Sequence, residues 1–122
     1  MNRDHTVVMQ RPFVHPPAED LELQSVLYAL ADPARLAIVA RLHANGCAMN
    51  CSTAAPAHLP KSTQSHHYQV LREAGIIRSE RQGTAVVNCL RSEDLSARFP
   101  GVLDAVLAAA PPYKDAPEPD KS

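Results

Sequence analysis

The stretch LPKSTQSHHYQVLREAG, residues 59–75, decides the fold prediction. Apolar residues in its second half would anchor a helix, and Gly75 stands where a helix ends, so we predict a helix over residues 62–74. Residues 62–67 are six consecutive polar side chains, none charged when histidine is neutral. Such hydrogen-bonding side chains suit base edges and phosphate oxygens, and base contacts cluster at the start of a recognition helix. The stretch therefore predicts a helix that enters a DNA groove.

Two β-rich runs follow this helix, residues 76–81 and residues 84–90. Gln82-Gly83 lies between them and is a hairpin signal. The hairpin tip, residues 81–84, would offer a cation and an amide to the DNA backbone or to an adjacent minor groove. A helix-turn-helix followed at once by a hairpin is the winged-helix arrangement.

The residues before this stretch predict three further helices. Leucine and valine at a spacing of 3 and 4 predict a first helix over residues 19–30. Asp32-Pro33 predicts the N-cap and first residue of a second helix, which Asn45-Gly46 closes. In residues 47–60, Ser52 is a candidate cap for a helix that prolines at 56 and 60 limit to a turn or two.

A last helical region begins at Ser92-Glu93-Asp94, where acids suit the positive end of the helix dipole. Pro100-Gly101 should break it into two helices. We therefore divide the chain into an extended arm (1–18), a folded domain (19–110) and a disordered, proline-rich tail (111–122).

Composition is consistent with one small, mainly α-helical domain. The chain has 122 residues, 45% of them apolar, but only 4% aromatic and no Trp. A core of Leu, Val, Ile and Ala favours packed helices. Because so short a domain buries a modest fraction of its surface, dimerisation over a further apolar face would be unsurprising.

Positive charge is concentrated in the middle of the chain. The net charge is −1, yet residues 61–91 contain five basic and two acidic side chains. A basic centre in an acidic frame suits a protein that presents one surface to phosphate.

The candidate DNA-contacting residues follow from these patterns. We expect base or phosphate contacts from the start of the helix and backbone contacts from the cations; His67 is equally well explained as a half-buried spacer. The full candidate set is Lys61, Ser62, Thr63, Gln64, Ser65, His66, His67, Gln69, Arg72, Arg81, Gln82 and Thr84.

Two blocks, ALADPARLAIVARL (29–42) and KSTQSHHYQVLREAGIIRSERQG (61–83), resemble the ArsR (arsenic-repressor) family of winged-helix regulators. The resemblance spans roughly residues 20–108. It implies a homodimer formed by the first and last helices, binding double-stranded operator DNA until a ligand or thiol chemistry releases it. Two departures are Gln64, where the family usually has an apolar residue, and Pro56, which interrupts the third helix.

The sensor is a third departure from the family pattern. Many relatives carry Cys-x-Cys near the third helix, whereas this chain has Cys47 and Cys51, which would share one face only if the segment were helical. A thiophilic metal or metalloid would need a third sulfur, for which Cys89 is the candidate. Thiol oxidation and simple burial as small apolar residues are the alternatives. The family's other zinc site is absent, because residues 92–110 contain no histidine.

Other function classes find little support. There is no G-x-S-x-G elbow and no Gly-rich phosphate loop, so we expect no enzyme. With three cysteines, no signal-peptide run and no membrane-spanning stretch, we expect a cytoplasmic protein with reduced thiols and no membrane partner. The rival hypothesis is a winged-helix module that docks proteins and ignores DNA.

Overall fold

The computed structural model describes residues 13–46 and 49–113. A 3-10 turn at Ala18–Asp20 precedes the regular elements. Within the described residues, these are α1 (Leu23–Leu30), α2 (Pro33–Asn45), β1 (Met49–Asn50), α3 (Cys51–Ala54), α4 (Lys61–Glu73), β2 (Ile77–Gln82), β3 (Ala85–Leu90), α5 (Ser92–Arg98) and α6 (Val102–Ala109). The predicted mainly α-helical, winged helix-turn-helix fold is confirmed.

Helix α2 begins at a side-chain cap, whereas α1 has none. The Asp32 carboxylate accepts hydrogen bonds from the backbone N–H groups of Ala34 and Arg35 at 2.9 and 3.0 Å, as the sequence predicts. Helix α1 starts four residues later than expected, because Leu21 is in extended conformation and 2% exposed.

The segment before α4 contains a strand that the sequence did not predict. Met49 and Asn50 pair antiparallel with Asn88 and Val87 of β3, so over the described residues the sheet has three strands in the order β1-β3-β2 and not two. Asn50, not Ser52, caps α3: its side-chain Oδ1 accepts a hydrogen bond from the backbone N–H of Thr53 at 2.9 Å.

The hairpin wing is regular. Strands β2 and β3 pair from Ile77↔Leu90 to Gln82↔Ala85. The turn is Gly83-Thr84, one residue later than predicted, and Gly83 has a φ of 65°. A positive φ at a two-residue turn matches the twist of the flanking strands, which is why glycine stands there.

The core lies between the helices and the inner side of the sheet. Its fully buried members include Ile38, Val39, Leu71, Ile76 and Ile77. As predicted, the last helical region is broken near Pro100-Gly101, where Gly101 has a φ of 78°. Helix α6 contains no buried residue, although several of its apolar side chains are half-buried.

No single helix in the described ranges is long and apolar enough to span a membrane; α1 and α2 reach the required length and composition only together, bent by 100°. The arm up to residue 12, Cys47 and the tail from residue 114 lie outside the described residues. Residues 111–113 of the predicted tail form no helix or strand.

Candidate nucleic-acid interface

Helix α4 is anchored on one side and exposed on the other. The Tyr68 hydroxyl donates a hydrogen bond to the Cys51 carbonyl oxygen at 2.7 Å, and Leu71 is fully buried. Burial raises the pKa of the Tyr68 hydroxyl, so it remains a donor. The exposed side chains of α4 include five candidates: Lys61, Ser62, Ser65, His66 and Gln69. Thr63 and Gln64 are half-buried.

His67 faces the core and not the exposed side of α4. It is 9% exposed, and its Nδ1 atom lies 3.2 Å from a guanidinium nitrogen of Arg35. Arginine only donates hydrogen bonds, so Nδ1 is the acceptor and the neutral ring carries its proton on Nε2, 3.9 Å from the Asp32 carboxylate. Of the two interpretations of this residue, its burial favours the spacer over a base contact.

The amides of Gln64 and Gln69 already have partners. Gln64 Nε2 donates to the Leu59 carbonyl oxygen at 2.9 Å, and Gln69 Nε2 donates to Glu73 at 3.0 Å. For Gln64 this bond explains a polar residue where the family usually has an apolar one, because it holds the loop that precedes the helix. Gln69 is exposed and its pair with Glu73 lies one helical turn along, a contact that surface side chains exchange readily.

The wing lies beside the exposed face of α4. Arg81, Gln82 and Thr84 are all exposed at or near its tip. A groove of about 400 Å³ lies between the two elements, lined by Lys61 and Ser65 of α4 and by Thr84 of the wing, among others. Cations and small hydrogen-bonding groups thus line one concave surface, which suits a phosphate backbone.

Two arginines meet at one aromatic ring on this side of the molecule. The guanidinium carbons of Arg72, from α4, and Arg81, from β2, lie 4.4 and 4.5 Å from the centre of the Phe13 ring. Both arginines were predicted to hold the DNA backbone. Phe13 was not predicted, because nothing in the local sequence pairs an arm residue with the wing.

A buried polar pair connects the wing to the helices. Ser79 and Asn88 are opposite each other in the β2–β3 register, and the Ser79 hydroxyl donates to Asn88 Oδ1 at 2.6 Å. Asn88 Nδ2 donates to the Met49 carbonyl oxygen and to Cys51 Sγ, both at 3.3 Å. Arg72 donates to the Ser79 hydroxyl at 3.4 Å. The sequence signal for this pair is an asparagine inside the apolar run AVVNCL.

The cysteines do not form the expected arrangement. Met49–Asn50 is a strand and α3 begins at Cys51, so the two residues just before Cys51 are not helical. Cys51 is a free, half-buried thiol, whereas Cys89 on β3 is disulfide-bonded, contrary to the expectation of reduced thiols. Cys47 lies outside the described residues. Among the residues that the structure describes, no group of three or more potential metal-ligating side chains comes together.

Comparison with known proteins gives consistent matches. The chain is 36% identical over 96 residues to the HTH-type transcriptional repressor SmtB of Mycobacterium tuberculosis, covering 77% of this chain and 67% of that protein. It is 28% identical over 90 residues to the uncharacterized HTH-type transcriptional regulator YceK of Bacillus subtilis, covering 73% of this chain and 90% of that protein. No protein-family model matches the chain.

A solved structure gives the same result. The crystal structure of an ArsR family transcriptional regulator, RHA00566, superimposes with a TM-score of 0.55 at 28% identity, over 70% of this chain and 88% of that one. The sequence match to SmtB, the winged helix-turn-helix fold and this structural match agree: the chain belongs to the ArsR family of transcriptional regulators.

Proposed function

We propose that this chain represses transcription by binding an inverted-repeat operator as a homodimer. The observation that carries the proposal is the exposed, uncharged polar face of α4, which lies beside a wing with an exposed arginine, Arg81, near its tip. Membership of the ArsR family makes the chain a regulator and not an enzyme, and the relative SmtB is named a repressor. Since a regulator works on chromosomal DNA, we propose a cytoplasmic location.

In the proposed complex, α4 lies in the major groove. Ser62, Ser65 and His66 are exposed, and their hydrogen-bonding groups suit the donors and acceptors of base edges. Lys61, Arg72 and Arg81 would bind phosphates on either side. Thr63, Gln69, Gln82 and Thr84 complete the proposed surface, and Gln64 supports it through the Leu59 carbonyl oxygen.

A homodimer would place two such helices in successive major grooves. Three large apolar side chains of α1 are exposed: Leu23 at 38%, Leu27 at 44% and Tyr28 at 68%. Helix α6 has no buried residue despite its apolar composition. We propose that α1 and α6 bury these side chains against a second copy, because exposed apolar patches mark interaction sites.

The proposal is tested by fluorescence anisotropy with a labelled duplex from the region upstream of the chain's own gene. Ser65→Ala and His66→Ala should each weaken binding to this duplex by about 1–3 kcal/mol if the residue reads a base. Binding to a mixed-sequence duplex should change little. Ser96→Ala, an exposed polar change on α5, is the matched control. A protein-docking module would bind neither duplex.

Thiol oxidation is the better-supported candidate for regulation of DNA binding. Cys89 is disulfide-bonded, while no metal-binding group forms among residues 13–46 and 49–113. We therefore propose that the oxidation state of Cys89 changes operator affinity. Wild type reduced with dithiothreitol should differ in operator affinity from the same protein after peroxide has converted the thiols back to the disulfide, and Cys89→Ser should show no such difference. A response to Cd(II) or As(III) that survives in Cys89→Ser would contradict this proposal.

A further inference from the structure

A short segment of the arm crosses from the recognition helix to the wing. We call residues 13–17 the strap. Its sequence is FVHPP, and it contacts α4 and β2 through Phe13. Farther along, His15 Nε2 accepts a hydrogen bond from the backbone N–H of Ser79 at 3.0 Å. The Pro16 carbonyl oxygen accepts one from Arg91 at 2.8 Å.

We propose that Phe13 is a positioning residue of the DNA interface: its ring holds Arg72 of the recognition helix and Arg81 of the wing together as one phosphate-binding pair. The inference rests on the proposed DNA-binding function. A guanidinium that stacks on an aromatic face keeps its N–H groups in the plane of the cation, at the edge that binds phosphate. Stacking also restricts two long side chains before DNA arrives, so less entropy is lost on binding.

The rest of the strap fixes the position of the ring. Burial, followed by the charges of Arg78, Arg91 and Arg72, lowers the pKa of His15, while Glu80 opposes them. At neutral pH His15 is therefore an uncharged acceptor for the Ser79 N–H group. Because β2 is an edge strand, this bond uses a backbone donor that the sheet leaves available. Arg91, 6% exposed, holds Pro16 from the other side.

The opposite hypothesis is that the strap shields the arginines and inhibits DNA binding. A segment that competes with DNA for a basic surface would be expected to carry acidic side chains, whose negative charge replaces that of the DNA phosphates. Residues 13–17 contain no acidic side chain. Phe13 covers guanidinium faces and neutralises no charge. The contacts therefore favour a strap that presents the two cations over one that hides them.

Anisotropy with a mixed-sequence duplex of about 30 base pairs tests the inference, since phosphate contacts need no particular sequence. Phe13→Ala should weaken binding about fivefold to tenfold and make the slope of log K against log salt less negative by roughly 1. Phe13→Tyr, which keeps the ring, should bind within about twofold of wild type. Val14→Ala is the neighbouring control, because Val14 is 82% exposed.

A double-mutant cycle shows whether Phe13 acts through the arginines. In an Arg72→Ala/Arg81→Ala background, Phe13→Ala should have no further effect on affinity. An unchanged loss in that background, failure of Phe13→Tyr to restore affinity, or tighter binding by Phe13→Ala would overturn the inference. If wild type binds no duplex even at low salt, the proposed function itself fails; if wild type binds and Phe13→Ala binds equally well, only the role of the strap fails.

Discussion

His67 is a buried histidine on α4, and it connects this helix to α2. Its Nδ1 atom accepts from Arg35, whose Nε donates to the Ala29 carbonyl oxygen at 2.7 Å. A proton on Nδ1 would remove the acceptor and set two cations against each other. Desolvation by burial, together with Arg35 and His66, lowers the pKa of His67, and Asp32 only partly opposes them.

Protonation of His67 should therefore destabilise the fold. Because its pKa in the folded chain lies below the unfolded value of 6.5, the unfolded chain binds the proton first as the pH falls. The free energy of unfolding should be highest above pH 6.5 and decrease as the pH falls from there towards the lowered pKa. Urea denaturation at several pH values measures this. His67→Asn, whose Oδ1 replaces Nδ1 as acceptor, should show a smaller decrease, and exposed His43→Asn should behave like wild type.

The buried Ser79–Asn88 pair gives a second prediction at this scale. Ser79→Ala leaves Asn88 Oδ1 without its 2.6 Å donor in a buried site, so the free energy of unfolding should fall by about 1–3 kcal/mol. Ser96→Ala, at an exposed position on α5, should change it by less than about 0.5 kcal/mol. Equal effects of the two substitutions in chemical denaturation would contradict the importance of the pair.

At the scale of elements, the end of α4 depends on Gly75. Its φ is +82°, and a Cβ atom there would overlap Leu21 Cδ2, so both conformation and packing require glycine. Gly75→Ala should lower the free energy of unfolding by about 2–5 kcal/mol. Gly46, at the end of α2, has a φ of +90° with nothing within 4 Å of the added atom. Gly46→Ala should lower the free energy of unfolding by only about 1–2 kcal/mol, because it adds the cost of the left-handed conformation and no overlap with a neighbour. Similar losses in thermal denaturation would show that Leu21 packing is unimportant.

Elements with a strong local signal could be predicted from sequence, and those made by long-range contacts could not. The cap at Asp32-Pro33, the recognition helix and the hairpin were all recognisable. Strand β1 was not, because two residues have no periodicity and become a strand only by pairing with β3. The recognition face stays a prediction, and the burial of His67 could not be predicted because it depends on Arg35, which is distant in sequence.

At the scale of the molecule, the proposed dimer predicts a charge-sensitive surface. Leu27→Glu places a charge on the exposed apolar side of α1, where burial against a second copy would desolvate it. This variant should be monomeric by sedimentation equilibrium at concentrations where wild type is dimeric. Thr53→Glu adds the same charge at an exposed site on α3 and should remain dimeric. A dimeric Leu27→Glu would place the subunit contact elsewhere.

The central claim is that α4 and the wing together bind a DNA duplex, and the salt dependence of binding tests it most directly. Affinity for the upstream duplex should be measured from about 50 to 200 mM salt for wild type and for Arg72→Ala/Arg81→Ala. The account predicts a steep linear fall of log K with log salt for wild type, and a slope less negative by roughly 2 for the double variant. Binding that is absent at the lowest salt, or a slope that is identical in the two proteins, would contradict it.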